Sequence, residues 1–292
     1  LRKQNAEIDL QVLVVNKNNF PSIDGIVFHE LNAVTNSALG KGIVKKYAHT
    51  NTDYFRWALK PIFITYLLEN GFEKIIYVDP DIYFVSDYNF LFEKLNQSNI
   101  LLSPHWSNTN PQVDETGFYH VLRDGLFNAG FVGANKEGIE ALSWWGKVCH
   151  FKIEKNFQLG LFVDQKYLDI LPVQFENIGI IKHRGCNLAS WNIDTCKRET
   201  INGKLMINGQ FDPVFIHFAK ETIANIINHN DEPLAPYLEE YVTLLKNENF
   251  DLRKQFSDLD FSKLDSGISK WKFRLRVRTR IKFLLYKLAE II

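Results

Sequence analysis

Short apolar runs alternate with longer amphipathic stretches along this chain. Ile8–Val15 (IDLQVLVV) is apolar and rich in β-branched residues, which predicts a buried strand. A polar turn with Pro21 spans Asn16–Asp24, and Ile26–Leu31 predicts a second short strand. Between Asp53 and Asn70, the residues Phe55, Leu59, Phe63, Tyr66 and Leu67 fall at helical spacing, and Asn70-Gly71 is a helix stop. Lys74–Val78 (KIIYV) predicts a buried strand that Asp79-Pro80-Asp81 terminates, and Ile82–Val85 resumes an extended run. Ile100–Ser103, Phe127–Ala134, Ile178–Lys182 and Val214–Phe218 predict further strands. Lys136–Phe151, carrying Leu142, Trp145 and Val148, and Asp164–Leu171 predict helices.

Strand–helix–strand succession predicts an α/β fold with a mixed, mostly parallel sheet flanked by helices. Ligands in such sheets bind beyond the carboxyl ends of the strands, where Asp79 and Asp81 fall. The expected division is an α/β domain over 1–250 and a basic, helical extension over 251–292. Ser269–Ile292 holds eight Lys or Arg and one acid, Glu290. Its strict alternation over Lys270–Lys282 suits a strand, while Phe273, Val277, Ile281, Leu284 and Leu288 fit a helix face; its length favours a helix. Leu1–Glu7 reads as the end of a helix, so an upstream strand and helix are expected to precede this sequence.

The 292 residues are 46% hydrophobic and 23% charged, as in folded soluble proteins, and the formal net charge of +0 gives no global field to draw nucleic acid. Cys149, Cys186 and Cys196 are odd in number and lack metal-ligand spacing, which reads as free thiols in a reducing compartment. No run of about 18 apolar residues suggests a transmembrane helix, and no signal-peptide pattern is present. The expected location is cytoplasmic, with the basic, aromatic tail as a route to the membrane surface.

Chemistry concentrates at six places. Asp79-Pro80-Asp81 pairs two carboxylates that can chelate Mn²⁺ or Mg²⁺ against a diphosphate; the plainer reading is a solvated acidic turn. His217 in VFIHF is either a core histidine or a nitrogen ligand that shifts preference toward Mn²⁺. Asn128, Ala129 and Gly130 combine a polar side chain with small neighbours that permit close approach. Asp164 and Gln165 suit sugar hydroxyls or a positive anomeric carbon, although Asp164 also suits a helix N-cap. Asn187 and Trp191 suit a sugar face, and burial of Trp191 in the core is equally open. Lys60 is either a phosphate contact or an exposed helix lysine.

The order and spacing of these segments resemble the GT-A-fold glycosyltransferases, and within them glycosyltransferase family 8 and related bacterial cell-surface glycan transferases. The matching stretches are ALKPIFITYLLENGFEKIIYVDPDIYF (58–84), LFNAGFVGA (126–134), GLFVDQKYLDILP (160–172), CNLASWNI (186–193) and FIHFA (215–219). They cover most of residues 47–220. The resemblance implies metal and donor binding by Asp79 and Asp81, with His217 as third metal ligand. It implies Lys60, Asn128, Ala129 and Gly130 at the donor, Asp164 and Gln165 beside the transferred sugar, and Asn187 and Trp191 on the acceptor side. Two departures stand out. His217-Phe218-Ala219-Lys220 lacks the glycine of the family's H-F-x-G and the downstream Lys-Pro-Trp, so Lys220 is only a candidate for the phosphate-contacting lysine. The family's first strand has no counterpart in this sequence.

The resulting expectation is a metal-dependent hexosyltransferase that uses a nucleotide sugar, UDP-sugars foremost, and a glycan or glycolipid acceptor with retention of configuration. Asp79, Asp81 and His217 are expected to converge on one ion. A homo-oligomer stays open, and no nucleic-acid partner is expected. The rivals are a sugar-phosphate nucleotidyltransferase and an inert glycan-binding module.

Overall fold

A computed structural model describes residues 1, 8–15 and 22–264. The strands are β1 (Leu10–Leu13), β2 (Ile26–His29), β3 (Lys74–Val78), β4 (Ile82–Phe84), β5 (Ile100–Pro104), β6 (Phe127–Asn135), β7 (Lys155–Asn156), β8 (Leu161–Phe162), β9 (Ile178–Ile180), β10 (Arg198–Ile201), β11 (Lys204–Ile207) and β12 (Phe215–His217). The helices are α1 (Asn32–Thr35), α2 (Ala38–Tyr47), α3 (Thr52–Glu69), α4 (Asn89–Lys94), α5 (Glu115–Asp124), α6 (Ile139–Phe151), α7 (Leu171–Gln174), α8 (Lys220–Ile227), α9 (Ala235–Asn247) and α10 (Leu252–Gln255). The α/β class expected from the sequence is therefore present. The chain divides into two compact units, one of Leu1–Pro80 with Asp87–Lys182 and one of Asp81–Ser86 with His183–Ile292.

The first unit is built on a four-stranded sheet in the order β3-β6-β5-β9. β6 runs antiparallel to both β3 and β5, and β9 is parallel to β5, so β3, β5 and β9 share one direction. Phe127–Ala134 is buried throughout, as a strand with covered faces on both sides must be. On one face Ile100, Leu102, Val132 and Ala134 join a core with Leu59, Phe63 and Leu67 of α3 and Leu142 and Trp145 of α6. On the other, Leu95 beyond α4 lies against Gly133, whose missing side chain makes room for it and for Leu101. A separate parallel pair joins β1 to β2.

Helix α3 explains how a charged residue enters this core. The Asn51 side chain caps it by accepting from the Asp53 and Tyr54 amides, and ten of its residues from Phe55 to Leu68 are buried, Lys60 among them. Gly71, at φ +109°, follows its end.

In the second unit β4 pairs antiparallel with β12, matching Ile82 to His217 and Phe84 to Phe215. An antiparallel hairpin joins β10 and β11, and α8 packs on α9. Among the described residues, no helix is long and apolar enough to cross a membrane. The basic tail over 269–292 and residues 2–7 of the helix end expected over Leu1–Glu7 lie outside the described residues.

Several expected boundaries change. Ile8–Val15 contributes only Leu10–Leu13 to a strand, and Lys136–Phe151 opens with a 3-10 turn at Lys136–Gly138 before α6. The expected helix Asp164–Leu171 is instead a 3-10 turn over Lys166–Ile170 followed by α7. Asp164 is not its cap, because its carboxylate is drawn inward to a buried lysine.

Candidate functional site

In the first unit, three elements deliver charge to one buried point. Lys60 comes from α3, Asp79 from the end of β3, and Asp164 from the turn after β8. Lys60 Nζ lies 3.2 Å from Asp79 Oδ1 and 3.3 Å from Asp164 Oδ2, with side chains 4% and 2% exposed for Lys60 and Asp164. It also donates to the carbonyl of Ala129 at 3.1 Å and sits 5.2 Å above the Tyr77 ring. Tyr77 donates its hydroxyl to Asp79 Oδ1 at 2.6 Å. Lys60 is thus not the exposed helix lysine that remained open from the sequence.

The backbone holds these groups in place. The Asp79 amide donates to the Gly130 carbonyl at 2.8 Å, which fixes the end of β3 on β6. Trp145, fully buried in α6, donates its indole N–H to the Asp164 carbonyl at 2.9 Å. Val163 takes φ +46°, a left-handed conformation costly for a β-branched residue and met where a neighbouring group must be aimed.

The electrostatics follow from burial. Desolvation pushes the Asp164 carboxyl up to about 6, with the Lys60 ammonium opposing. For Lys60, desolvation alone would lower the value, but Asp164 and Asp79 outweigh it and hold the ammonium above the ordinary lysine range. Burial likewise raises Tyr77. Lys60 is therefore a fixed cation at neutral pH.

Asn128, Ala129 and Gly130 occupy β6 beside this cluster. Asn128 is buried and accepts from the Gly130 amide at 2.7 Å. Gln165 accepts from the Ala129 amide at 3.2 Å and donates to the Asp124 carbonyl at 3.0 Å, so its carboxamide clamps β6 to the end of α5.

In the second unit, the β4–β12 ladder brings Asp81 to His217. His217 Nε2 lies 3.1 Å from Asp81 Oδ1, with the imidazole 9% and the carboxylate 42% exposed. The histidine is therefore buried yet engaged by an acid, unlike a histidine packed among apolar side chains alone. Trp191 meets the His217 ring edge to face at 5.3 Å and 84°. Asn187 is fully buried at φ +64°, a conformation asparagine tolerates better than most. Lys220 pairs with Asp258 at 2.7 Å and remains half-exposed. Asp79 belongs to the first unit and Asp81 to the second, with Pro80 between them in the chain.

Tyr77, Trp145, Arg198 and Asp231 were not among the expected site residues. Arg198 and Asp231 form a buried pair, Nε to Oδ2 3.1 Å, with 3% and 2% of their side chains exposed. A charge inside a short polar segment carries no periodic signal of burial, which is why the sequence did not reveal them.

No family model matches the chain. Uncharacterized protein YfnF of Bacillus subtilis (strain 168) is 25% identical over 232 residues, covering 77% of this chain and 76% of that protein. Uncharacterized protein YfnD of the same organism is 28% identical over 187 residues, covering 62% and 58%. The structure of mouse xyloside xylosyltransferase 1 in its apo form is similar at 14% identity and a TM-score of 0.40, over 68% of this chain and 76% of that one.

Proposed function

We propose that this chain is a metal-dependent glycosyltransferase that moves a hexose-type sugar from a nucleoside-diphosphate sugar, UDP-sugars first, to a hydroxyl of a surface glycan or lipid-linked precursor with retention. The observation that carries the reading is the contact of His217 with Asp81, two residues along the chain from an Asp79 already held by Lys60 and Tyr77. Two carboxylates and an imidazole are a donor set that fits Mn²⁺, with Mg²⁺ as the harder alternative. A cation held there supplies Lewis-acid neutralisation of the departing diphosphate.

The chain's own groups do the rest. Lys60 supplies a fixed positive charge near the donor phosphates, with Lys220 as a second cation. Asn128, Ala129 and Gly130 form the donor side, and Asn187 and Trp191 the acceptor side. Asp164, with Gln165 beside it, presents a carboxylate to the positive charge that develops at the anomeric carbon as the bond to the diphosphate breaks. The basic tail over 269–292 brings the enzyme to an anionic membrane surface.

Release of nucleoside diphosphate from a panel of UDP-, GDP- and dTDP-sugars, with Mn²⁺ and with EDTA, tests this. Mn²⁺-dependent release from one donor class is expected. Release of pyrophosphate from a nucleoside triphosphate and a sugar phosphate would point to a nucleotidyltransferase, and absence of turnover with every donor would leave a binding module.

A further inference from the structure

The segment that carries Asn187 and Trp191 is tied into a closed polar knot within the second unit. The fork of Arg198 reaches into it from the start of β10. Nη1 donates to the carbonyls of Asn192 at 3.0 Å and Cys196 at 2.5 Å. Nη2 donates to the carbonyl of Ala189 at 2.8 Å and to Asn192 Oδ1 at 3.2 Å. Asn192 completes the knot by accepting from the Ala189 amide at 3.1 Å and donating to the Asn187 carbonyl at 2.7 Å. The Ser190 amide donates to the buried hydroxyl of Thr222 at 3.1 Å. Trp191 is therefore held on both sides by neighbours whose backbone is fixed.

The knot continues into β12. The Leu188 amide donates to the Phe215 carbonyl at 3.1 Å, and the Leu188 carbonyl accepts from the His217 amide at 2.9 Å. The same segment thus fixes the backbone of His217 and places Trp191 against its ring.

A buried ion pair gives little net stability over an apolar pair of equal size, so its clearest benefit is a single conformation. Arg198 suits that task because its planar fork reaches several oxygens at fixed angles. We propose that Arg198, anchored by Asp231, is a positioning residue that sets the His217 imidazole through the Asn187–Asn192 segment, and so tunes divalent-cation affinity. This rests on the metal-dependent reading above.

The test uses calorimetric titration with MnCl₂ and thermal melting on the wild type, Arg198→Lys, and the double variant Arg198→Met with Asp231→Leu. The lysine keeps the charge opposite Asp231 but lacks the fork; the double variant removes both charges together. Outer partners of metal ligands change affinity by about 10- to 100-fold, so Mn²⁺ binding about tenfold weaker is expected in whichever variant folds. A folded variant with wild-type Mn²⁺ affinity overturns the positioning role and leaves the functional reading intact. Loss of the fold in both variants also overturns it, because the pair would then be a requirement of folding. A wild-type chain that takes up no Mn²⁺ overturns the metal-dependent reading itself, and this inference with it.

Discussion

Lys60 and Asp164 face each other at 3.3 Å in a place where neither can be hydrated, one from the middle of α3 and the other from a strained turn. Lys60 opposes the desolvation of the Asp164 carboxylate, and Asp164 together with Asp79 holds the Lys60 ammonium. That dependence makes the pair testable from both sides.

Asp164→Asn keeps the shape and removes the charge. If the carboxylate stabilises the developing positive centre, turnover falls by about 10²–10³, while circular dichroism stays unchanged. Near-normal turnover would sink the assignment.

The pH dependence of stability follows from the raised value at Asp164. Its folded pKa, about 6, lies above the ordinary 3.8, so the native state binds the proton more tightly. Its contribution is full below pH 3.8 and is lost as pH rises to about 6. Melted without metal between pH 4 and 7, the wild type should lose ground to Asp164→Asn as pH rises. Parallel curves would show that the carboxyl is not perturbed.

Lys60→Met leaves Asp79 and Asp164 without their shared cation. Breaking a buried pair on one side costs about 3–5 kcal/mol, read as a lower denaturant midpoint. Lys60→Met combined with Asp164→Leu should recover much of the loss. No recovery would mean that Lys60 serves through packing and not charge.

Gly185 leads into the segment that holds Asn187, and its carbonyl accepts from the Val214 and Phe215 amides. A Cβ there would sit 1.8 Å from the Asp212 carbonyl oxygen. The backbone must move, so Gly185→Ala should destabilise by about 1–3 kcal/mol, as overpacked sites do. An unchanged melting temperature would contradict the placement of this loop.

Removing residues 269–292, with their eight basic side chains, should reduce co-sedimentation with vesicles of anionic lipid. Near such a surface each base contributes about 1 kcal/mol. Unchanged binding would remove the membrane role from the tail.

Local pattern carried some elements almost whole. Lys74–Val78 is β3 as expected, and the periodic residues around Leu59 mark α3 to within a residue at each end. Helices α5, α8 and α9 were not among the expected elements, although Leu238, Tyr241 and Val242 carry the α9 signal. The pairing of Ile82 with His217 could not be read locally, because hydrophobic alternation says which face is buried and not which strand lies beside it. The same limit hid the role of Tyr77, which reads as one more apolar position of β3 until its hydroxyl is seen on Asp79.

All three cysteines are outside disulfides and fully buried, Cys149 in the first unit and Cys186 and Cys196 in the second. Burial also raises the Cys149 and Cys196 thiols above the ordinary cysteine range, so both stay protonated and slow to react. Each is therefore a built-in stopwatch: an alkylating reagent registers only the moments when its surroundings open. With mass spectrometry to tell the sites apart, a single labelling time course separates the opening of one unit from that of the other, with no engineered reporter.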